Sequence, residues 1–294
     1  MVNTKIGFIG AGRLASVVAP ELARADCNVA AVASRTRDSA DKLARAIKGC
    51  AVVEAQELSD LCDLIFVTTA DAAIAEVTES LQWRETQAVV HCSGALTREP
   101  LSPAERMGAR TGSLHPFQTF GAGGTTASLS GVTFGIEAEP NLYDDLSEMV
   151  DRFGGVALRV PEATRPLYHA ASVMSSGYLV TLLHEAHTLW EKAGLPPDAA
   201  TAAIGRLAET TLANVIAAGT HPSLSGPTSR GDKGTVRLHL EAMAKAAPEL
   251  LPLYTSISER SAILAREAGR PGGSIDWSAL FTEYVEHHVR TNQR

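Results

Sequence analysis

Short apolar runs alternate with helical stretches through the first half of the chain. The first run, Ile6, Phe8 and Ile9, lies within Lys5-Ile-Gly-Phe-Ile-Gly-Ala-Gly-Arg-Leu-Ala15. A helical stretch follows it, and a second strand begins at Asn28 and ends near residue 33. Asp38–Ile47 reads as a helix capped by Asp38 or Ser39, and Ala51–Val53 as a short strand. Asp63-Leu-Ile-Phe-Val-Thr-Thr69 is a continuous apolar run bounded by polar residues, the mark of a strand buried on both faces. Asp71 is placed to cap a helix running to about Leu81. Ala88–Leu96, Thr111–Phe117, Val132–Ile136 and Val156–Val160 read as further strands, with a helix near Asn141–Phe153. This alternation predicts an α/β fold, a doubly wound, mostly parallel Rossmann sheet with helices on both faces.

The pattern changes at Pro161. Downstream the apolar positions recur with helical spacing and no strand is evident, so an all-α domain is expected to follow. Thr164–Ala193 reads as one helix of about thirty residues, some 45 Å long at 1.5 Å per residue. It is closed by Gly194-Leu-Pro-Pro. Asp198–Ala218, Lys233–Ala246, Pro248–Ala268 and Asp276–Val289 read as further helices, separated at Gly219–Pro222 and Gly269–Gly273. The expected division is 1–160 for a nucleotide-binding domain and 161–294 for a helical substrate and dimerisation domain.

The first turn carries chemistry. Gly10-x-Gly12-x-x-Ala15 sits between a strand and a helix: Gly10 permits the tight turn, Gly12 lets a pyrophosphate approach the backbone, and Ala15 keeps the helix close to the sheet. Gly10, Ala11, Gly12, Arg13 and Leu14 therefore form the expected phosphate cradle at a helix N-terminus. The second strand ends in Ser34-Arg35-Thr36-Arg37 rather than in the carboxylate that would bond a ribose 2′-hydroxyl. Guanidinium groups bind phosphate oxygens in a bidentate fork, so Ser34, Arg35, Thr36 and Arg37 select NADP(H) over NAD(H).

Composition narrows the picture. The 294 residues can bury a large core, and 45% hydrophobic with 20% charged residues describes an ordinary globular protein. A net charge of −7 argues against a nucleic-acid or anionic-membrane surface. No charged-then-apolar leader opens the sequence and no run approaches membrane-spanning length, so a cytoplasmic protein is expected. Cys27, Cys50, Cys62 and Cys92 form no CxxC pair and suit small core positions in a reducing compartment.

Ligands of a doubly wound sheet lie beyond the carboxyl ends of its strands. That rule collects Thr68, Thr69, His91, Ser93 and His115. Thr68 and Thr69 fall where a nicotinamide ribose lies. Ser93 either contacts the substrate or closes a simple turn, and His115 either meets a ligand or is a core histidine held by Pro116. His169, Ser172 and Ser176 are spaced to share one helix face; they line a wet cleft or join a structural hydrogen-bond network. Placing Tyr168 towards the core turns His169 and Ser172 away from it. His184-Glu-Ala-His187 lacks the histidine spacing of a helical metal motif, and no metal site is expected. In Gly226-Pro-Thr-Ser-Arg-Gly-Asp-Lys-Gly234, Arg230 either holds a substrate carboxylate or pairs with Asp232 to fix the loop.

Leu-Tyr-His-Ala-Ala (167–171), Gly-Ser-Leu-His-Pro-Phe (112–117), His-Cys-Ser-Gly (91–94) and Gly-Pro-x-x-Arg-Gly-Asp (226–232) follow an NADP-type turn. Together they resemble the 6-phosphogluconate dehydrogenase-like superfamily over nearly the whole chain. Within it they resemble the Rossmann-like proteins with a C-terminal domain of unknown function, generally called predicted oxidoreductases, some of them associated with ketopantoate reduction. The β-hydroxyacid dehydrogenases of that superfamily use a Lys and a following Asn on the long helix. Counted back from Ala193-Gly194-Leu195, these fall on His169 and Ser172, and a later Glu-Ala falls on Glu185-Ala186. Gly177-Tyr178 stands where the branch often has Asn-Tyr.

The expected protein is an NADP(H)-dependent oxidoreductase that transfers hydride to a C=O or C=N carbon of a small 2-oxo or imino acid. His169 is the expected general acid, since an imidazole can donate a proton near neutral pH. Ser93, Ser172, His115 and Ser176 orient the substrate, and Arg230 holds its carboxylate. Ketopantoate-like acids come first, pyrroline-5-carboxylate-like imines second. A non-catalytic NADP(H)-binding sensor or scaffold is the reading from a different class. The partner expected besides the small acid is a second copy of the chain, because Ala-rich helices such as Thr201–Ala218 leave an apolar face to cover.

Overall fold

The apolar runs of the first half close into a single eight-stranded sheet of order β3-β2-β1-β4-β5-β6-β7-β8. A computed structural model describes residues 4–121 and 128–291 of the chain. The strands are β1 (Lys5–Ile9), β2 (Asn28–Ala33), β3 (Ala51–Val52), β4 (Leu64–Val67), β5 (Ala88–His91), β6 (Arg110–Pro116), β7 (Thr133–Ala138) and β8 (Val156–Arg159). All neighbours are parallel except β6 and β7, where His115 lies opposite Gly135. The doubly wound α/β fold read from the sequence is thus the fold of this region.

Contacts divide the chain into two compact units, Met1–Ser176 and Gly177–Arg294. In the first unit the helices are α1 (Ala15–Arg24), α2 (Arg37–Arg45), α3 (Ala55–Leu61), α4 (Asp71–Glu79), α5 (Ser102–Arg106), α6 (Pro140–Arg152) and α7 (Arg165–Ser175). The strands read as continuous apolar runs because both sheet faces are buried. Ile6, Phe8, Phe66 and Val90 pack on one face with α1, α2 and α6, while Ile9, Ile65, Val67 and Val89 pack on the other with Leu58 and Ile74. The helices α3 and α5 were not evident from periodicity, because each is too short to show it.

The single long helix expected over Thr164–Ala193 is instead interrupted. After α7, Ser176 leaves helical geometry with φ −127° and ψ −85°, and α8 (Gly177–Lys192) begins anew. The local sequence explains the break. The Ser175 and Ser176 hydroxyls donate to the Ala171 and Ser172 carbonyls at 2.9 and 2.7 Å, and glycine follows at once. Back-bonding serines next to glycine are a recognised cause of helix interruption. The contact boundary consequently falls after Ser176 rather than at Pro161, since Arg165 and Tyr168 of α7 are tied into the sheet unit.

The second unit contains α8, α9 (Pro197–Ala218), α10 (Thr220–Ser223), α11 (Pro227–Arg230), α12 (Lys233–Ala246), α13 (Leu251–Glu267) and α14 (Ser278–Thr291). Its core is built on α12, α13 and α14, with Leu240, Leu251, Trp277 and Phe281 buried together. The long helices α8 and α9 are different, and α8 buries no residue fully. On α9 only Ala200 is buried, and Leu207 and Ile216 are 71% and 77% exposed. An open apolar groove of about 630 Å³ runs among Leu182, Leu207, Leu212, Met243 and Ile257. No described helix is long and apolar enough to cross a membrane.

Candidate functional site

The turn after β1 opens a crevice of about 380 Å³ at the carboxyl ends of β1, β2 and β4. Gly10 takes φ +111°, a conformation that favours glycine, and a Cβ there would stand 2.7 Å from the Thr68 carbonyl. The Thr68 hydroxyl donates to the Gly10 carbonyl at 2.8 Å and so fixes the turn. Gly12 differs: a Cβ on it would meet nothing within 4 Å, so its backbone faces open space. The Thr69 hydroxyl, which borders the same crevice, is buried without a hydrogen-bond partner among the described residues. Ser34, Arg35 and Thr36 border it too, while β2 ends in no carboxylate. Open backbone at a helix N-terminus, an orphaned hydroxyl and a guanidinium fit a phosphorylated dinucleotide.

Not every residue expected here arrives. Arg37 starts α2, lies outside the crevice lining, and pairs with Asp41 at 3.3 Å. Ala11 and Leu14 are half-buried against the core, and Arg13 is exposed, its carbonyl accepting from the Ser16 hydroxyl.

A second cluster forms at the carboxyl ends of β5 and β6. Asp71 occupies the first turn of α4 but makes no capping hydrogen bond. Its carboxylate instead accepts from the Ser93 hydroxyl at 2.7 Å. That hydroxyl also accepts from the Ala95 and Leu96 N–H groups, at 3.2 and 3.1 Å. Ser93 is therefore a fully engaged turn residue, its proton and lone pairs committed within the fold. His91 is equally committed: Nδ1 accepts from the Ser93 N–H at 3.2 Å, and Nε2 stands 2.8 Å from the Thr97 carbonyl. Burial pushes the His91 imidazole down to about 4, with the Thr97 carbonyl pulling the other way.

Gly94, next in sequence, is where two histidines meet the backbone. A Cβ there would lie 2.6 Å from His169 Cδ2 and 2.7 Å from His115 Nε2. The two rings stand edge to face, 6.0 Å between centroids. His115 Nδ1 lies 2.9 Å from the Tyr168 hydroxyl. Tyr168 is thus half-buried against β6 and β7 with a polar partner, rather than simply turned into the core. Burial first, and the Arg165 charge second, push His115 down to about 4. Ser172 is half-buried one turn further along α7, and the Ser176 hydroxyl is spent on its own helix.

Arg165 was not singled out by sequence reasoning. Its side chain is fully buried; it donates to the Ser93 carbonyl at 2.6 Å and faces Glu137 at 3.3 Å. Glu137 in turn faces Arg98 at 3.5 Å. One signal was present: Glu137 ends the otherwise apolar Phe134-Gly-Ile-Glu run on a buried strand, and a buried carboxylate requires a cation. Cys92 packs beside this network, its thiol pushed up to about 12 by burial, which is the opposite of nucleophile activation.

Arg230 belongs to the second unit, exposed at the end of α11. The carboxylate of Asp232 caps α12 by accepting from the Thr235 N–H and hydroxyl at 3.0 and 2.7 Å, so it is the Thr235 contact that fixes this loop.

Against known proteins, residues 2–116 match a model of the Rossmann-like domain. Residues 132–261 match a model of a domain of unknown function, DUF2520. None of the curated proteins matches the chain. Solved structures do. A candidate NADP oxidoreductase from Bacteroides fragilis is 25% identical with a TM-score of 0.73, covering 88% of this chain and 97% of its own. A Thermotoga maritima protein is 24% identical with the same TM-score of 0.73, covering 90% of this chain and 100% of its own. A pyrroline carboxylate reductase from Plasmodium falciparum, solved with NADP bound, is 14% identical with a TM-score of 0.60, covering 91% and 96%. The fold is therefore one that NADP oxidoreductases share.

Proposed function

We propose that this chain is an NADP(H)-dependent reductase acting on the C=N or C=O carbon of a small imino or 2-oxo acid. One observation carries the reading. The lining of the crevice with open Gly12 backbone, Thr69 hydroxyl and Arg35 reaches Ala70, and the next residue, Asp71, is bonded to Ser93, the neighbour of the Gly94 backbone on which His115 and His169 converge. Gly10, Gly12, Thr69 and Arg35 would hold the dinucleotide, which supplies the hydride when bound.

The chain's own residues do the rest. His169 gives a proton to the substrate nitrogen or oxygen as negative charge develops there. His115 hydrogen-bonds the same atom, and Ser172, on the same stretch of α7, orients the substrate. Cyclic imines are the first class to test and ketopantoate-like acids the second, an order supported by likeness to a pyrroline carboxylate reductase. The second copy of the chain proposed as partner covers the groove along α9, where Leu207 and Leu212 line one apolar surface and Ile216 follows a turn later, since a contiguous exposed apolar patch marks an interaction face. Sedimentation is expected to give a dimer, and a monomer at micromolar concentration removes that partner.

The deciding experiment is NADPH oxidation across a panel of cyclic imines and 2-oxo acids, with His169→Ala beside the wild type. Turnover of at least one imine is expected, lowered roughly 10²–10⁴-fold in His169→Ala, the range for a lost general acid. NADPH binding should be unchanged in that variant. NADPH binding with no oxidation by any substrate would make the chain a sensor instead. Full turnover in His169→Ala would pass the proton to another group.

A further inference from the structure

Tyr168 has one proton to give and two acceptors within reach. His115 Nδ1 lies 2.9 Å from its oxygen and the His115 carbonyl 3.4 Å. A bare Nδ1 offers the phenol the shorter bond, whereas a protonated Nδ1 would leave it only the carbonyl at 3.4 Å, longer than a good O–H···O bond. Burial pushes the phenol up, against smaller downward pulls from Arg165 and the Gly135 N–H, so the hydroxyl keeps its proton to donate. We propose that Tyr168 is a positioning residue that holds His115 in its Nε2–H form and so aims a hydrogen-bond donor at the Gly94 side of the histidine pair.

The backbone is cut to fit this row at two places. A Cβ on Gly135 would stand 2.5 Å from the Tyr168 oxygen, so β7 lacks a side chain where the phenol seats. A Cβ on Gly94 would occupy the space that His115 Nε2 and His169 Cδ2 now border. Which ring nitrogen of a histidine carries the proton is set by the bond the other makes. With Nδ1 accepting, Nε2 is the only nitrogen left to hold it.

The surroundings keep the ring uncharged. His115 is faced from α7 by Arg165, His169 and Tyr168, and from the β4 and β5 ends by Asp71 and His91. Burial, Arg165, His169 and His91 oppose a cation, and only Asp71 favours one. The two histidines thereby differ in kind: His115 donates a hydrogen bond without giving up its proton, while His169 gives its proton away. A neutral imidazole used as a donor to a polarised substrate atom is an established device. The use assigned to the donor rests on the proposed reductase reading; the ring form does not.

The test is nitrogen NMR of the full chain labelled with 15N-histidine, with the His115 signals identified by their loss in His115→Gln. The wild type should show a bare Nδ1 and a protonated Nε2 across roughly pH 5–8. Tyr168→Phe should give a mixture of ring forms and move the ring's protonation midpoint up by about one pH unit, because a donor to the neutral form is gone. Should Tyr168→Phe not fold, Gly135→Ala, which drives a methyl against the phenol, carries the same expectation. A wild-type ring protonated on Nδ1 overturns the proposal without any variant, and so does a Tyr168→Phe spectrum identical to the wild type. None of these spectra requires turnover, so failure of the NADPH panel and failure of this assignment are separate results.

Discussion

The two parts of the candidate site are made in opposite ways. At the ends of β1, β2 and β4 the working surface is backbone and empty space: among the described residues, a Cβ on Gly12 would meet nothing within 4 Å and the Thr69 hydroxyl has no partner. At the ends of β5 and β6 a row of side chains is tied together, from Asp71 through Ser93 to Arg165 and Glu137. The first part has atoms waiting for a ligand. The second has its geometry fixed in advance, which is what proton transfer at a defined atom demands. The matched regions divide differently, because the second part draws on both: His115 and Ser93 fall within residues 2–116, whereas Glu137, Arg165, Tyr168 and His169 fall within 132–261.

Removing Arg165 should separate the two parts most sharply. Arg165→Leu leaves Glu137 with Arg98, at 3.5 Å, as its one remaining cation among the described residues and takes the donor from the Ser93 carbonyl. Breaking a buried pair from one side costs about 3–5 kcal/mol, and the half-buried Arg98 places the expected loss near the lower end. Urea unfolding should show that loss, and Arg165→Leu with Glu137→Gln should recover part of it, since the uncompensated charge is then gone. NADPH affinity of the folded fraction should barely change. An unaltered urea midpoint in Arg165→Leu would mean that the network does not hold the second part together.

The same contrast explains what could be read from the sequence. The Gly10-x-Gly12-x-x-Ala15 turn, the strand runs and the missing carboxylate after β2 are local features, so their chemistry stands in adjacent letters. The histidine cluster is not local. Tyr168 and His115 are 53 residues apart, Arg165 and Ser93 72, Ser93 and Asp71 22. Spacing on one helix did bring His169 and Ser172 to notice. It could not show that Ser93 spends its hydroxyl on Asp71, or that Arg37 turns to Asp41 instead of the crevice. The break at Ser176 was missed for another reason: helical periodicity continues through it, and only the Ser-Ser-Gly chemistry interrupts the backbone.

Acid should act on the second part before the first. His91 and His115 each carry an ordinary value of 6.5 when unfolded and about 4 in the fold, depressed chiefly by burial. Between those values the unfolded chain binds more protons. Stability therefore rises with pH across that window and is lost as pH falls from 6.5 towards 4, by at most about 1.4 kcal/mol per pH unit for each ring. The capped carboxylates of Asp232 and Asp276 are shifted below 3.8 and titrate beneath the window. A lower urea midpoint at pH 5 than at pH 7 is expected, with most of the difference abolished when both histidines are replaced by Asn. Equal wild-type midpoints would mean that the buried rings accept protons in place, and the claim of an uncharged cluster would fail.

The smallest effects should come from the first part, and they distinguish its two arginines. Arg35 borders the crevice, whereas Arg37 is 67% exposed and paired with Asp41. A hydrogen bond to a charged group is worth about 1.5–3 kcal/mol, so Arg35→Ala should weaken NADPH binding by roughly 10–100-fold. NADH, with no 2′-phosphate to lose, should bind as before. Arg37→Ala removes only a solvated ion pair worth about 0.2–1 kcal/mol, and should move NADPH affinity less than about 5-fold. Calorimetry with both cofactors reads all of this directly. Wild-type affinity equal for NADPH and NADH would sink the preference outright. Losses of equal size in the two variants would instead return Arg37 to the phosphate, and would mean that the Asp41 pair yields once a ligand with more charge is present.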